Sequence, residues 1–202
     1  GSVPMKRLLR APTPRAEGHY GPSPPDVRRA FDTPGVDTFI ITAYDGTSFG
    51  DCERKRFLDT AFYTPANTET LMREYSDFTL YLYQRYRQTH KRFIVSTWEG
   101  DNEIYCGQAY DVATHPDMEA SCRNNYLRTY GVASPEAALE GLKLWLQVRA
   151  DGILDGRRRA LNQGIGGMRV YHAPEFNIVR ILREHGLKSV LYDVIPSVTF
   201  DY

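Results

Sequence analysis

Neither sign of charge predominates in this chain: Lys+Arg and Asp+Glu stand at 25 each over 202 residues. That balance removes the electrostatic basis for nucleic acid or an anionic membrane surface as the main partner. No apolar run approaches the roughly 18–20 residues of a membrane-spanning helix. Leu8-Leu9 is far shorter than the apolar core of a secretory signal, and Gly1-Ser2 ahead of Met5 leaves the compartment open, extracellular or cytoplasmic. Cysteine is scarce. Cys52, Cys106 and Cys122 are odd in number and show no CxxC spacing, which argues against structural zinc and for buried free thiols. Gly164-Ile165-Gly166-Gly167 precedes a strand instead of opening a helix, the wrong order for a dinucleotide loop, and no second histidine stands at ligand spacing from His172. Neither a cofactor nor a metal is expected.

What the chain does have is length for one medium domain and an excess of aromatics: 14 Tyr, 9 Phe and 2 Trp. Tyrosine packs cores with a polar tip and also stacks on sugars. Residues 1–35 hold Pro4, Pro12, Pro14, Pro22, Pro24, Pro25 and Pro34, and read as an extended leader with one short helix near Pro25–Ala30. Residues 36–202 read as a β/α domain. Val36–Ala43 is a strand, and residues 49–66 are a long loop. Leu71, Tyr75, Phe78, Leu82 and Tyr86 recur at helical spacing after a cap at Asn67 or Thr68. Phe93–Thr97 is a second strand, followed by an irregular stretch over 100–133. Ser134-Pro135-Glu136 starts a helix whose Leu139, Leu142, Leu146, Arg149 and Ile153 share a face, with the aliphatic stem of Arg149 covering apolar surface. Met168–His172 is a third strand, Ile178–His185 a short helix, and Lys188–Val194 a fourth strand. Arg157-Arg158-Arg159 is read as complementing the dipole at a helix C-terminus. This order predicts an α/β fold of parallel β/α units, a partial or shortened barrel, because a complete eight-fold barrel takes about 250 residues.

In a parallel sheet the chemistry gathers where the strands end. Three polar clusters meet that condition: Tyr44-Asp45, Trp98-Glu99-Gly100-Asp101-Asn102, and His172 with Glu175 and Asn177. Paired carboxylates on one rim suit glycosidic-bond chemistry, with one acid protonating the leaving oxygen and another acting as nucleophile or base. Glu99 is the candidate acid and Glu175 its candidate partner. Trp98, Asp101, Asn102, Tyr44, Asp45, His172 and Asn177 are candidates to line a sugar subsite. Each also has an ordinary reading: a loop acid, a turn, a cap on the next helix for Glu175, a hydrogen-bonded strand-end histidine for His172.

The runs FIVSTWEGDN (93–102), MRVYHAPEFN (168–177) and YDVIPSVTFDY (192–202) resemble a group of TIM-barrel, glycoside-hydrolase-like proteins, over roughly residues 36–202. The Trp-Glu-Gly-Asp run is the most specific element of the likeness. The resemblance implies a (β/α)₈ barrel of the retaining clan type, with Glu99 as acid/base at the end of the fourth strand. Two departures accompany it. Trp98 stands where the clan has Asn before the acid, and the clan's nucleophile comes from a strand later than Tyr202. The implied function is a glycoside-hydrolase-like protein acting on or binding carbohydrate. The alternative is a non-catalytic carbohydrate-binding or assembly module, an incomplete barrel needing a homo-oligomeric or complementing chain.

Overall fold

The structure, a computed structural model, describes residues 3–4, 24–45, 56–97, 99–125, 132 and 134–201. In chain order its elements are β1 (Val3–Pro4), α1 (Pro24–Asp32), β2 (Thr38–Tyr44), α2 (Pro65–Arg85), β3 (Arg92–Ser96), α3 (Gly100–Ile104), α4 (Ala109–Thr114), α5 (Pro116–Asn125), α6 (Pro135–Asn162), β4 (Arg169–His172) and α7 (Val179–Glu184). Strands β2, β3 and β4 are adjacent and parallel, and the two-residue β1 joins the C-terminal end of β2 in the same direction. The protein is thus α/β with a parallel sheet, as the alternation of strand and helix patterns predicts.

Side-chain alternation assigns the two faces of the sheet. Phe93, Val95 and Val170 point into a core built against α2 and α6, together with the predicted helix-face residues Leu71, Tyr75, Phe78, Leu82, Leu139, Leu142, Leu146 and Ile153. The two long helices approach closely because Gly152 and Gly156 of α6 leave no side chain where Met72 O and Ser76 O lie, at 2.5 and 2.6 Å from the Cβ positions. Part of the aromatic excess is spent in one cluster, where Phe31 of α1 sits edge-on to Phe39 and Phe93 at 5.2 and 5.1 Å. The opposite face carries Thr38, Ile40, Arg92 and Arg169, all exposed, with Ile40 at 74 %. Register sets Ile40, Ile94 and Tyr171 side by side across it.

Several expectations need correction. Lys188–Val194 is not a strand: Val190–Val194 forms a π-helical turn and Ile195–Ser197 a 3₁₀ turn. Ser189 Oγ accepts from Tyr192 N, Asp193 accepts from Ser189 N, and the buried pair Val190 and Val194 is spaced for a helix. The stretch 100–133 contains the three short helices α3 to α5, and of the expected long loop residues 56–58 and 60–62 form 3₁₀ turns. Cys106 and Cys122 are joined in a disulfide, with Cα atoms 5.9 Å apart, so two of the three thiols are not free; Cys52 lies outside the described residues. Finally, Arg157 and Arg159 serve more than a helix dipole. Arg157 Nε donates to Val170 O on the outer edge of β4 and pairs through both terminal nitrogens with Asp201, while Arg159 binds Asp77 at 2.7 Å. Asp201 also accepts from His172 N at 2.7 Å and donates its own N–H to His172 O at 3.0 Å. This ion pair occupies the backbone edge of β4.

Arg149 departs furthest from its expected role. It is 0 % exposed, and its head group, more than its stem, is what α6 inserts into the fold. Nη1 donates to Ala43 O at 2.7 Å and Tyr75 Oη at 2.6 Å, Nη2 donates to Ser96 O at 2.9 Å, and Nε faces His172 Nε2 at 3.4 Å. Its guanidinium lies over the rings of Trp145 and Tyr75, at 4.3 and 4.7 Å. One side chain therefore touches the C-terminal ends of β2, β3 and β4. Arg149→Met would keep the packing volume but take the donor from the Ala43 and Ser96 carbonyls and from His172 Nε2, at about 1–3 kcal/mol each. Chemical denaturation should show a loss of roughly 3 kcal/mol or more; a loss under about 1 kcal/mol would mean the guanidinium holds nothing together.

Candidate functional site

The parallel sheet brings the ends of β2, β3 and β4 to one rim, so all three predicted polar clusters start there. Trp98 lies outside the described residues, and of Tyr44 only its backbone place at the end of β2 is described. The remaining candidates separate into three kinds: buried supports, bridges between chain segments, and the two carboxylates Glu99 and Glu175.

Asp45 and His172 are buried supports. Asp45 Oδ2 accepts from Trp145 Nε1 at 3.0 Å, so it holds the indole that Arg149 lies over. His172 is 1 % exposed. Its Nε2 faces the Arg149 donor, so the neutral ring carries its hydrogen on Nδ1, which makes no well-formed hydrogen bond among the described residues. Burial, then the positive charges of Arg149 and Arg157, push the imidazole well below its ordinary midpoint, and the Thr199 main chain opposes them weakly.

The run after β3 is mostly a clip between chain segments. Gly100 N donates to Glu175 O at 2.9 Å, and a Cβ there would lie 3.0 Å from that oxygen and 2.9 Å from Val190 Cγ2. Only glycine lets the three segments meet this closely. Asp101 is fully buried and accepts from Asn177 N at 2.9 Å and Val190 N at 2.8 Å. Burial raises its carboxyl above the ordinary range, and those two N–H groups offset part of the effect. Asn102 uses both ends of its amide: Nδ2 donates to Glu99 Oε2, and Oδ1 accepts from Ala109 N at 2.9 Å. Asn177 contributes its backbone to the clip, and its buried Oδ1 has no partner among the described residues.

Glu99 and Glu175 remain. Glu99 is half-buried at the start of α3, with its carboxylate held by Asn102. Glu175 is exposed; its N–H donates to Thr97 Oγ1 at 3.0 Å while its carbonyl takes the Gly100 N–H. These two bonds set the Glu175 backbone between the residues flanking Trp98-Glu99. Helix α7 has no side-chain cap, so Glu175 does not serve as one. A surface cavity of roughly 300 Å³ lies between α2 and α6, lined by Glu69, Arg73, Ser76, Asp77, Asp155 and Arg159 among others. It includes none of the residues singled out from sequence. No group of three metal-ligating side chains occurs among the described residues. Sequence reasoning missed Arg149 as a site support. The available signal was an arginine in phase with four apolar residues one turn after Trp145.

The His172 shift has a defined sign in stability. Below pH 6.5, its ordinary midpoint, the unfolded chain takes up a proton that the folded chain refuses. Stability contributed by neutral His172 should be complete above that pH and fall by up to about 1.4 kcal/mol per unit on acidification, until the folded midpoint is reached. Asp101, shifted upward, acts in the opposite sense, so the comparison is made between otherwise identical proteins. Denaturation midpoints across pH should show a shallower acid limb in His172→Gln than in the parent; equal slopes would refute the assignment.

The chain matches no protein-family model, no curated protein and no solved structure.

Proposed function

We propose that this chain is a carbohydrate-acting protein of glycoside-hydrolase type, built as part of a β/α barrel, with Glu99 as general acid/base. One observation carries the reading. Glu99 and Glu175 follow adjacent parallel strands, and the Thr97–Glu175 and Gly100–Glu175 hydrogen bonds tie them to the same rim. Glu99 gives its proton to the leaving glycosidic oxygen, and Glu175 attacks the anomeric carbon or activates a water against it. Support also comes from the division of labour around Glu99. Its neighbours Gly100, Asp101 and Asn102 are committed to close contact, backbone hydrogen bonds and orientation, which leaves its carboxylate as the accessible acid of the run. Carbohydrate is the partner, and no cofactor enters the scheme. Glu99→Gln should abolish hydrolysis of aryl glycosides while circular dichroism and melting stay those of the parent. Retained activity would refute the role of Glu99.

A second reading rests on the exposed rung of β2. Parallel sheets are ordinarily covered on both faces, yet Ile40 stands exposed beside Ile94 and Tyr171. On this reading the chain is an assembly module, and the sheet face is covered by a second chain. Sedimentation should then show self-association that Ile40→Glu breaks, without glycoside hydrolysis at any concentration. A monomer at all concentrations would remove it.

A further inference from the structure

We infer that Asn102 is the positioning residue of the Glu99 carboxylate and that the Cys106–Cys122 disulfide locks it in place, so that the site is regulated by the redox state of that bond. The inference rests on the reading of Glu99 as the working acid. Its links are all short. Asn102 Nδ2 donates to Glu99 Oε2, and Asn102 Oδ1 is held by the N–H of Ala109 at 2.9 Å, so the amide cannot turn without losing one partner. Ala109 is fully buried and begins α4. The chain reaches it from Asn102 through a tight reversal: Gly107 N returns to Asn102 O at 2.7 Å, and Cys106 and Gly107 both adopt left-handed backbone, φ 58° and 81°.

Left-handed backbone is unfavourable for a cysteine and needs the surroundings to impose it. The disulfide supplies that constraint by joining Cys106 to Cys122, buried on α5, across a separation of 16 residues. The reversal, the Ala109 N–H and the Asn102 amide therefore form one mechanical unit clamped at the disulfide. Two-electron reduction by a dithiol converts the bond to two thiols, with the reductant leaving as its own cyclic disulfide. The reversal is then free to relax, and the amide loses its second anchor.

The test reads Glu99 without needing turnover. The side-chain carboxyl carbon of Glu99 is observed by NMR in the labelled protein, assigned by its disappearance in Glu99→Gln, and exchange of the Ala109 amide is followed in the same samples. Asn102→Asp replaces the donor by an oxygen of the same shape. It should move the Glu99 signal while Ala109 keeps its protection, and lower kcat on aryl glycosides by roughly 100-fold with little change in KM. Dithiothreitol added to the folded parent should speed Ala109 exchange at least about tenfold and move the Glu99 signal, both reversing on reoxidation. Cys106→Ser/Cys122→Ser should reproduce the reduced state; reduction of the native protein serves if this variant does not fold. An unmoved Glu99 signal in Asn102→Asp overturns the positioning role. Unchanged Ala109 exchange on reduction overturns the lock. If both NMR responses occur in a protein that hydrolyses no glycoside, the positioning unit stands and the glycosidase reading falls.

Discussion

A single buried guanidinium sets the conditions for everything at the rim. Parallel strands end with carbonyls that no neighbouring strand satisfies, and in this protein the ends lie deep enough that water is not an adequate partner. Arg149 reaches from α6 across those ends and donates to β2 and β3 while facing the imidazole of β4. A buried charge is expensive unless its donors are used and its surroundings are polarisable. Two carbonyls, the Tyr75 hydroxyl and two aromatic faces meet that requirement. The cost is carried by His172, which is held neutral beside the cation. Glu99 and Glu175 follow in the chain just beyond the strand ends that Arg149 bridges.

Much of the architecture was legible in the sequence because it is written in local periodicity. The apolar spacing from Leu71 to Tyr86 and from Leu139 to Ile153 marks two helices that bury those residues, and Ser134-Pro135 starts the second as its cap chemistry requires. The strands at 38–44, 92–96 and 169–172 follow from short β-branched and aromatic runs. The failures come where short-range pattern is ambiguous or long-range pairing decides. Lys188–Val194 contains three β-branched or aromatic residues, yet the Ser189 hydroxyl and the Asp193 carboxylate bond to nearby backbone and close a helical turn. Cys106 and Cys122 meet only because the short helices α4 and α5 fold the chain back between them, which no spacing rule encodes.

The candidate site was legible in position more than in role. Its clusters do begin at the strand ends, but chemistry-bearing residue types turn out to be divided between support and exposure. Asp101 and Asn102 look like ligands in a sequence because carboxylates and amides bind sugars. They are also the side chains best able to satisfy stray backbone N–H groups where three loops converge. Composition does not separate the two uses; the backbone partners of each side chain do.

The ion pair of Arg157 with Asp201 has a consequence beyond fold geometry. A sheet edge closed by another strand is protected by cooperative backbone bonding, whereas this one is closed by two side chains and one residue of main chain. Protection of that kind responds to the electrolyte, because salt screens an ion pair that is only partly buried. The tendency of β4 to template edge-on aggregation is therefore governed by the medium and not by global unfolding alone. Conditions that leave every helix intact can still make the protein adhesive.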